Sequence, residues 1–227
     1  MEQEHKHILP AEIEKTSMRL IAEELSRRGV SLLPETEAVV KRVIHTTADF
    51  DYVENLKFTP HAVQRAVEAL RSGAVIITDT NMAKSGISRA GLQKLNCEAY
   101  CFMADSDVGK AAKEKGTTRA AISMQKAAKE YPHAVLAVGN APTALLELCG
   151  LIQDGLRPPL VVGVPVGFVN VEESKRRIFE VCQSYGIACI AAMGRKGGSN
   201  VAAAICNALL YTALDALDPS RRPARLE

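Results

Sequence analysis

The chain has 227 residues, a length typical of one large domain, and 47% of its residues are hydrophobic although it contains no Trp. Its 28 Lys and Arg residues nearly balance its 26 Asp and Glu residues and are spread along the chain, which argues against a nucleic-acid or membrane-surface protein. The apolar runs are too short or too interrupted for a membrane helix of about 20 residues, and the polar start MEQEHKHILP lacks a signal-peptide core. These features predict a cytoplasmic protein.

The six cysteines fit neither a zinc site nor a redox pair. They form no CxxC pair, and no histidine cluster of zinc-site spacing accompanies them. We therefore expect buried, reduced thiols and no metal site. His5 and His7 have side chains that bind metals, although a mobile terminus is the better explanation for them.

The first seventy residues predict three helices. AEIEKTSMRLIAEEL carries apolar residues at helical spacing, and a second helix begins near Pro34. TPHAVQRAVEALRSG is predicted as the third, with Thr59 as its N-cap, Pro60 at its first position and Gly73 at its end.

After Gly73 short apolar runs alternate with amphipathic helices, a pattern that indicates parallel strands covered on both faces. The predicted strands are AVIITD (74–79), EAYCFM (98–103), AVLAVG (134–139), LVVGVPV (160–166) and IACIAA (187–192). The helices are predicted near 86–95, 118–130, 142–153, 171–184 and 199–217. The expected fold class is α/β: one three-layer α/β/α domain over residues 1–218, with a mainly parallel five-stranded sheet, an N-terminal helical extension and a flexible tail at 219–227.

Four strand ends carry polar, Gly-rich or Pro-rich segments: TDTNMAKSGI (78–87), VGNAPTAL (138–145), GVPVGFVN (163–170) and MGRKGGSN (193–200). Ligands of parallel sheets bind beyond the carboxyl ends of the strands, and such turns expose N–H donors. A ligand with several carboxylates or phosphates fits this edge, although each segment taken alone also fits an ordinary turn and helix cap. Neither G-x-x-x-x-G-K-[ST] nor G-x-G-x-x-G occurs there, which disfavours a nucleotide.

The segment KRVIHTTADFDY (41–52) contains a candidate acid or base. Arg42 and His45 lie three residues apart on one helical face, and the apolar residues of the segment are free to pack inward. A neighbouring guanidinium disfavours imidazolium, so we expect a neutral His45 until an anionic ligand binds. A structural histidine is the alternative. Asp49 and Asp51 either orient His45 or end the helix in solvent.

Seven ordered segments carry a resemblance to a known family. They are EKTSMRLI, RVIHTTADFDY, IITDTNMAKSGI, GTTRAA, VGNAPTALLEL, RPPLVVGVPVGFVNVEESK and GRKGGSNVAAAICNALL. Together they closely resemble the precorrin-8X methylmutases of cobalamin biosynthesis, also called cobalt-precorrin-8 methylmutases. The resemblance extends from about residue 10 to residue 215.

The resemblance implies an isomerase that moves a methyl group from C-11 to C-12 of precorrin-8X or cobalt-precorrin-8, giving hydrogenobyrinate or cobyrinate. It implies a homodimeric α/β/α enzyme without an organic cofactor, in which any cobalt belongs to the tetrapyrrole substrate. The family's catalytic histidine matches His45, acting as proton donor and acceptor. A non-catalytic tetrapyrrole carrier or polyanion-binding protein is the competing hypothesis.

The resemblance also implies substrate-binding residues, some of which the strand-end argument supports as well. A ring of acetate and propionate groups on the substrate accounts for the polar strand ends. Arg119 is expected to bind an anion, and the alternative is that it is a solvent-exposed charge at the end of a helix. Because a macrocycle is too large for one edge, we expect a symmetry mate to close the pocket. The expected substrate-binding residues are Ser17, Arg42, Thr80, Arg119, Asn140, Thr143, Gly197, Gly198 and Asn200.

Overall fold

The computed structural model describes residues 10–222 of the chain. The strands are β1 Leu56–Phe58, β2 Ile76–Thr78, β3 Ala99–Tyr100, β4 Val135–Val138, β5 Val161–Gly163 and β6 Cys189–Ala192. They form one sheet in the order β1-β6-β5-β4-β2-β3, in which β2 to β6 run parallel and β1 is antiparallel to β6. The predicted α/β class is confirmed, and the sheet has six strands instead of five.

Eleven α-helices occur within the described part of the chain. They are α1 Pro10–Arg27, α2 Pro34–Thr47, α3 Tyr52–Asn55, α4 Ala62–Arg71, α5 Asn81–Gly86, α6 Arg89–Lys94, α7 Ser106–Glu114, α8 Arg119–Glu130, α9 Pro142–Gln153, α10 Val171–Ser184 and α11 Ser199–Ala213. A 3-10 turn at Pro219–Arg221 follows them.

The sheet separates two apolar cores, which makes the three layers. Strand side chains alternate between the two faces. Ile76 and Val162 pack in the core that also contains residues of α1, α2, α4, α5, α6 and α11. Ile77 and Val161, each one residue away, pack in the opposite core with α7, α8, α9 and α10. The layer that includes α2 and α11 also carries the candidate site.

The entry to α4 differs from the prediction. The backbone N–H of Thr59 donates to the Cys189 carbonyl at 3.0 Å, and the Thr59 hydroxyl accepts from the Cys189 N–H at 2.8 Å. Thr59 therefore continues the pairing of β1 with β6 instead of capping a helix. The cap position of α4 is His61, which has a left-handed backbone (φ 59°).

The C-terminal segment also differs from the prediction of a flexible tail at 219–227. Residues 219–221 form the 3-10 turn, and Arg222 follows it and reaches α1, where its Nη1 donates to Oε2 of Glu14 at 2.6 Å. The segment that was expected to be loose therefore contacts the first helix. Residues 223–227 lie outside the described part of the chain, as do His5 and His7.

The cysteines are free thiols, as predicted. Cys101 is half-buried and the other five are buried. Across residues 10–222, none of the helices is long and apolar enough to cross a membrane.

Candidate active site

The largest cleft, of about 1040 Å³, opens between α2, α11, the segment joining α5 to α6, and the C-terminal turn. Because α5 and α11 follow the carboxyl ends of β2 and β6, the cleft lies on the side of the sheet where ligands are expected. Two smaller clefts of about 460 and 500 Å³ lie at the opposite edge, beside the residues that precede β2, β4 and β6. The large cleft is the candidate site because it contains His45 and three arginines.

His45 lies on the cleft face of α2. The apolar residues Val39, Val43 and Ile44 are buried, as predicted, which turns the opposite face of the helix toward the cleft. Nδ1 of His45 shares a hydrogen bond of 2.8 Å with Oγ of Ser17 on α1. Nε2 has no hydrogen-bond partner among the residues that the structure describes, so this nitrogen is available to a ligand.

Three charged side chains surround the imidazole within the cleft. Glu14 lies between two guanidinium groups, with 2.6 Å from its Oε1 to Arg42 and 2.6 Å from its Oε2 to Arg222. The ring of Tyr211 lies under both guanidinium groups, 5.4 Å from Arg42 and 4.0 Å from Arg222. Arginines stack on aromatic rings and bind carboxylates in this way, so the cluster is a site for anions.

The surroundings keep His45 neutral. Burial is the largest cause that lowers its pKa, the positive charges of Arg42 and Arg222 lower it further, and Glu14 opposes them. Burial raises the pKa of Glu14, but the two arginines lower it by more, so Glu14 stays ionised. A half-buried, neutral imidazole among guanidinium groups will gain a proton more easily once an anion binds beside it.

Asp49 and Asp51 do not orient His45. Both carboxylates bind Nζ of Lys196, at distances of 2.7 and 2.5 Å, and Ser17 holds the imidazole instead. These ion pairs join the end of α2 to the loop that follows β6.

The loop after β6 is held from beneath by Lys175 of α10. The Lys175 side chain is fully buried, and its Nζ donates to the carbonyls of Gly194 at 2.9 Å and Lys196 at 2.7 Å. Burial lowers the pKa of Lys175 to about 8. A Cβ on Gly197 would lie 2.2 Å from the Val164 carbonyl oxygen, so only glycine fits at this position.

The same loop delivers two predicted residues to the first turn of α11. Gly198 has a φ of 132°, which glycine tolerates, and its N–H donates to the Val164 carbonyl at 2.8 Å. Asn200 lines the cleft that contains His45. Thr80 caps α5 by accepting from the Ala83 N–H at 3.0 Å, and its hydroxyl shares a hydrogen bond of 2.7 Å with Ser199. The strand ends of β2 and β6 therefore meet beside the cleft.

The strand end of β4 is occupied by the protein itself. Asp79, which is 1% exposed, accepts hydrogen bonds of 2.7–2.8 Å from the N–H groups of Gly139, Asn140 and Ala141. Burial raises the pKa of Asp79, and the three N–H groups offset only part of this rise. The strand order reverses between β2 and β4, and ligands of α/β sheets commonly bind in that crevice. Here a side chain of the protein binds the amides of the crevice.

Seven of the ten predicted site residues do not line the His45 cleft itself. Ser17 binds His45, Thr80 binds Ser199, and Gly197 and Gly198 immediately precede α11. The other three have contacts elsewhere. Asn140 is exposed, and its N–H binds Asp79. Thr143 shares a hydrogen bond of 2.8 Å with Thr118. Arg119, the first residue of α8, donates to the Met103 carbonyl at 3.4 Å. Their assignment to the substrate stays a prediction.

Comparison with known proteins identifies the family. The sequence model of the family described as precorrin-8X methylmutase matches residues 12–212. The cobalt-precorrin-8 methylmutase of Leptospira interrogans is 45% identical over 203 residues, covering 87% of this chain and 91% of that protein. The chain belongs to the precorrin-8X methylmutase family. The cobalt-precorrin-8 methylmutase of Salmonella typhimurium is 46% identical over 179 residues, covering 78% and 82% of the two chains. The precorrin-8X methylmutase of Pseudomonas aeruginosa is 35% identical over 198 residues, covering 87% and 93%.

A solved structure supports the same assignment. The crystal structure of precorrin-8X methyl mutase from Thermus thermophilus superposes with a TM-score of 0.81 at 35% identity, covering 89% of this chain and 98% of that chain. The family and the fold predicted from the sequence are confirmed. The predicted enzyme class, an isomerase of the methylmutase type in cobalamin biosynthesis, is confirmed as well.

The site of this methylmutase contains residues that the sequence analysis missed. Glu14 lies three residues before Ser17 on α1, so helical spacing could have placed them on one face. Lys175 lies at helical spacing among the buried apolar residues of α10, and a lysine on such a face is a signal of a special role. Arg222 had no signal in the sequence, because it lies in the segment expected to be a tail.

A protein-bound metal has no candidate site in the described residues. Between residues 10 and 222, no group of three or more His, Cys, Asp or Glu side chains is arranged to hold a metal ion.

Proposed function

We propose that the chain moves a methyl group from C-11 to C-12 of precorrin-8X or cobalt-precorrin-8, giving hydrogenobyrinate or cobyrinate, with His45 handling the proton. Membership of the methylmutase family supports the reaction class. The observation that carries the role of His45 is its geometry. Nδ1 is held by Ser17, while Nε2 is unengaged in a cleft lined by three arginines and one glutamate among the described residues.

The proton step follows from the charges in the cleft. His45 is neutral in the free enzyme because burial and Arg42 lower its pKa. When the carboxylates of the substrate bind, their negative charge favours the imidazolium, which then donates a proton from Nε2 to the macrocycle. The bond between the methyl group and C-11 breaks, the bond to C-12 forms, and the macrocycle returns a proton to Nε2. No atom is gained or lost, as an isomerisation requires.

We assign the substrate's carboxylates to Arg42 and to the start of α11. Arg42 has a partly buried guanidinium beside His45, and the first turn of α11 has no side-chain cap. Uncapped helix N-termini bind anions through their N–H groups. The acetate and propionate groups that extend beyond the cleft are assigned to Arg119, Asn140 and Thr143. The residues assigned to the nearer carboxylates are Ser17, Arg42, Thr80, Gly197, Gly198 and Asn200.

We propose that the enzyme is a homodimer in which the second copy covers the open side of the site. Large apolar side chains are exposed in the loop after β5 and at the start of α5: Phe168 is 83% exposed, Val169 77% and Met82 72%. Exposed apolar side chains grouped at one edge are typical of interaction surfaces. Sedimentation of the wild type and of Phe168→Glu tests this proposal. A wild type that is a strict monomer and fully active would contradict it.

The enzyme requires no organic cofactor under this proposal, and cobalt enters only as part of the substrate. The relatives named cobalt-precorrin-8 methylmutase are 36–46% identical, and those named precorrin-8X methylmutase are 35–36% identical. These identities overlap, so both compounds stay candidate substrates. Steady-state turnover of both compounds under one set of conditions decides between them.

The function is tested by incubating the purified protein with each compound and recording the visible spectrum. Methyl migration alters the conjugated system, so the spectrum should change and the change should persist in the extracted pigment. A tetrapyrrole carrier would return the starting compound unchanged on extraction. Recovery of unchanged substrate after prolonged incubation with both compounds would refute the proposal.

A further inference from the structure

The C-terminal turn contributes a guanidinium to the cleft that the methylmutase family match does not include. The family match ends at residue 212, and Arg222 lies beyond it. The side chain of Arg222 is 13% exposed and lines the same cleft as His45 and Arg42. The role of this residue can be deduced from where its N–H donors point.

The N–H donors of Arg222 form hydrogen bonds to other groups of the protein. Nη1 donates to Oε2 of Glu14 at 2.6 Å, Nη2 donates to the Leu217 carbonyl at 3.1 Å, and Nε donates to the Ala216 carbonyl at 3.3 Å. Its guanidinium carbon also lies 4.0 Å from the centre of the Tyr211 ring. All three nitrogens are engaged, so Arg222 is built to hold Glu14 and is poorly placed to bind a ligand itself.

Arg42 is engaged differently with the same carboxylate. Its Nη2 lies 2.6 Å from Oε1 of Glu14, but Oε1 makes no well-directed hydrogen bond to any residue that the structure describes. Arg42 therefore keeps most of its N–H donors for another partner. An arginine prefers to bind a carboxylate through two parallel hydrogen bonds, and Glu14 would accept such a pair if its second oxygen were free.

We propose that Arg222 is a positioning residue for substrate binding: by holding Oε2 of Glu14, it prevents Glu14 from closing a two-bond pair with Arg42, and so leaves Arg42 available to a carboxylate of the substrate. This inference rests on the proposed function, because it assigns the anion that Arg42 binds. Without Arg222, Glu14 neutralises Arg42 and competes with the substrate. The C-terminal turn, outside the family match, thus sets the affinity of the site.

Substitutions of Arg222 and Glu14 test this inference. Arg222→Ala should raise KM about tenfold, the size expected for one charge-assisted hydrogen bond, with a smaller change in kcat. Arg222→Lys should give an intermediate KM, since an ammonium still binds Oε2. Arg221→Ala is the matched control, because Arg221 is adjacent and exposed, and its KM should equal that of the wild type.

The double variant Glu14→Gln with Arg222→Ala separates positioning from a structural role. Removing the charge of Glu14 also removes its competition for Arg42, so KM should fall back toward the wild-type value. A structural role for Arg222 would leave KM high in the double variant. That result, or equal KM for Arg222→Ala and Arg221→Ala, would overturn the inference. If Arg222→Ala does not fold, the KM of Arg222→Lys relative to Arg221→Ala decides, and equality overturns it.

A binding measurement keeps this test separate from that of the proposed function. A porphyrin octacarboxylate is titrated with each variant and followed by its own visible absorbance. Its Kd should follow the same order as KM. Lack of turnover by the wild type would refute the proposed function alone, whereas equal Kd values for the wild type and Arg222→Ala would refute the inference.

Discussion

The strand ends of β4 and β6 look alike in the sequence, yet the structure anchors them in opposite ways. Each has glycine and asparagine around the start of an α-helix. After β4, the buried carboxylate of Asp79 accepts from three consecutive backbone N–H groups. After β6, the buried ammonium of Lys175 donates to two backbone carbonyls.

The sign of the buried charge decides which backbone groups remain for a ligand. A carboxylate beneath the β4 loop occupies the N–H donors that an anion would need. Neither α9 nor α11 has a side-chain cap, but the ammonium beneath the β6 loop occupies carbonyls, which an anion does not need. The comparison therefore favours anion binding at β6, beside His45 and Asn200, over the backbone N–H groups that Asp79 occupies after β4.

The largest expected effect is the loss of turnover in His45→Ala, which we compare with a substitution at the opposite edge of the sheet. His45→Ala should lower kcat by roughly 10²–10⁴-fold, the usual contribution of a general acid or base, with thermal stability close to that of the wild type. His133→Ala is the control, because His133 lines a cleft at the amino edge and should leave kcat unchanged. Turnover by His45→Ala at the wild-type rate would remove His45 from the mechanism.

Replacing Asp79 and replacing Lys175 should both lower stability, but only the second should also weaken substrate binding. Asp79→Asn and Lys175→Met should each lower the free energy of unfolding by about 1–3 kcal/mol, because each weakens buried backbone hydrogen bonds. Only Lys175→Met should also raise KM, by about tenfold, since a small misplacement of the β6 loop moves substrate-binding groups. Urea unfolding and steady-state kinetics measure both quantities. A larger KM change in Asp79→Asn would reverse the comparison.

Lys175 also predicts a pH dependence of stability. Burial lowers its pKa from 10.5 to about 8, so between these pH values the unfolded chain binds more protons than the folded chain. The contribution of Lys175 to the free energy of unfolding should therefore rise from pH 8 to pH 10.5 and be lost as pH falls through 8. The difference between the wild type and Lys175→Met should grow by on the order of 1–3 kcal/mol over this window. A difference that is constant with pH would contradict the assignment.

The smallest expected effect is a change in KM when either of two asparagines is replaced. Asn200→Ala should raise KM about threefold to fivefold, because Asn200 lines the cleft, whereas Asn140→Ala should change it less than about twofold. The two substitutions are chemically identical, so their ratio isolates position. A larger KM change for Asn140→Ala would show that the β4 strand end also binds substrate.

Much of the fold was predictable because its signals are local. The helices predicted at 142–153 and 171–184 match α9 and α10, where a proline or a run of acidic residues marks the start. The strand β1 was missed because it has three residues and exists through pairing with β6. Its continuation at Thr59 binds Cys189, 130 residues later. No local pattern encodes that pairing.

The sequence by itself determined the order of the five parallel strands and the common face of Arg42 and His45, because periodicity is a property of neighbouring residues. The tertiary structure alone decided that Asp79 occupies the β4 amides, that Lys175 supports the β6 loop and that Arg222 meets Glu14 across 208 residues of chain. These contacts join charges whose separation in space depends on the packing of the whole domain. Each buried charge must have a partner, and only folding determines which partner it finds.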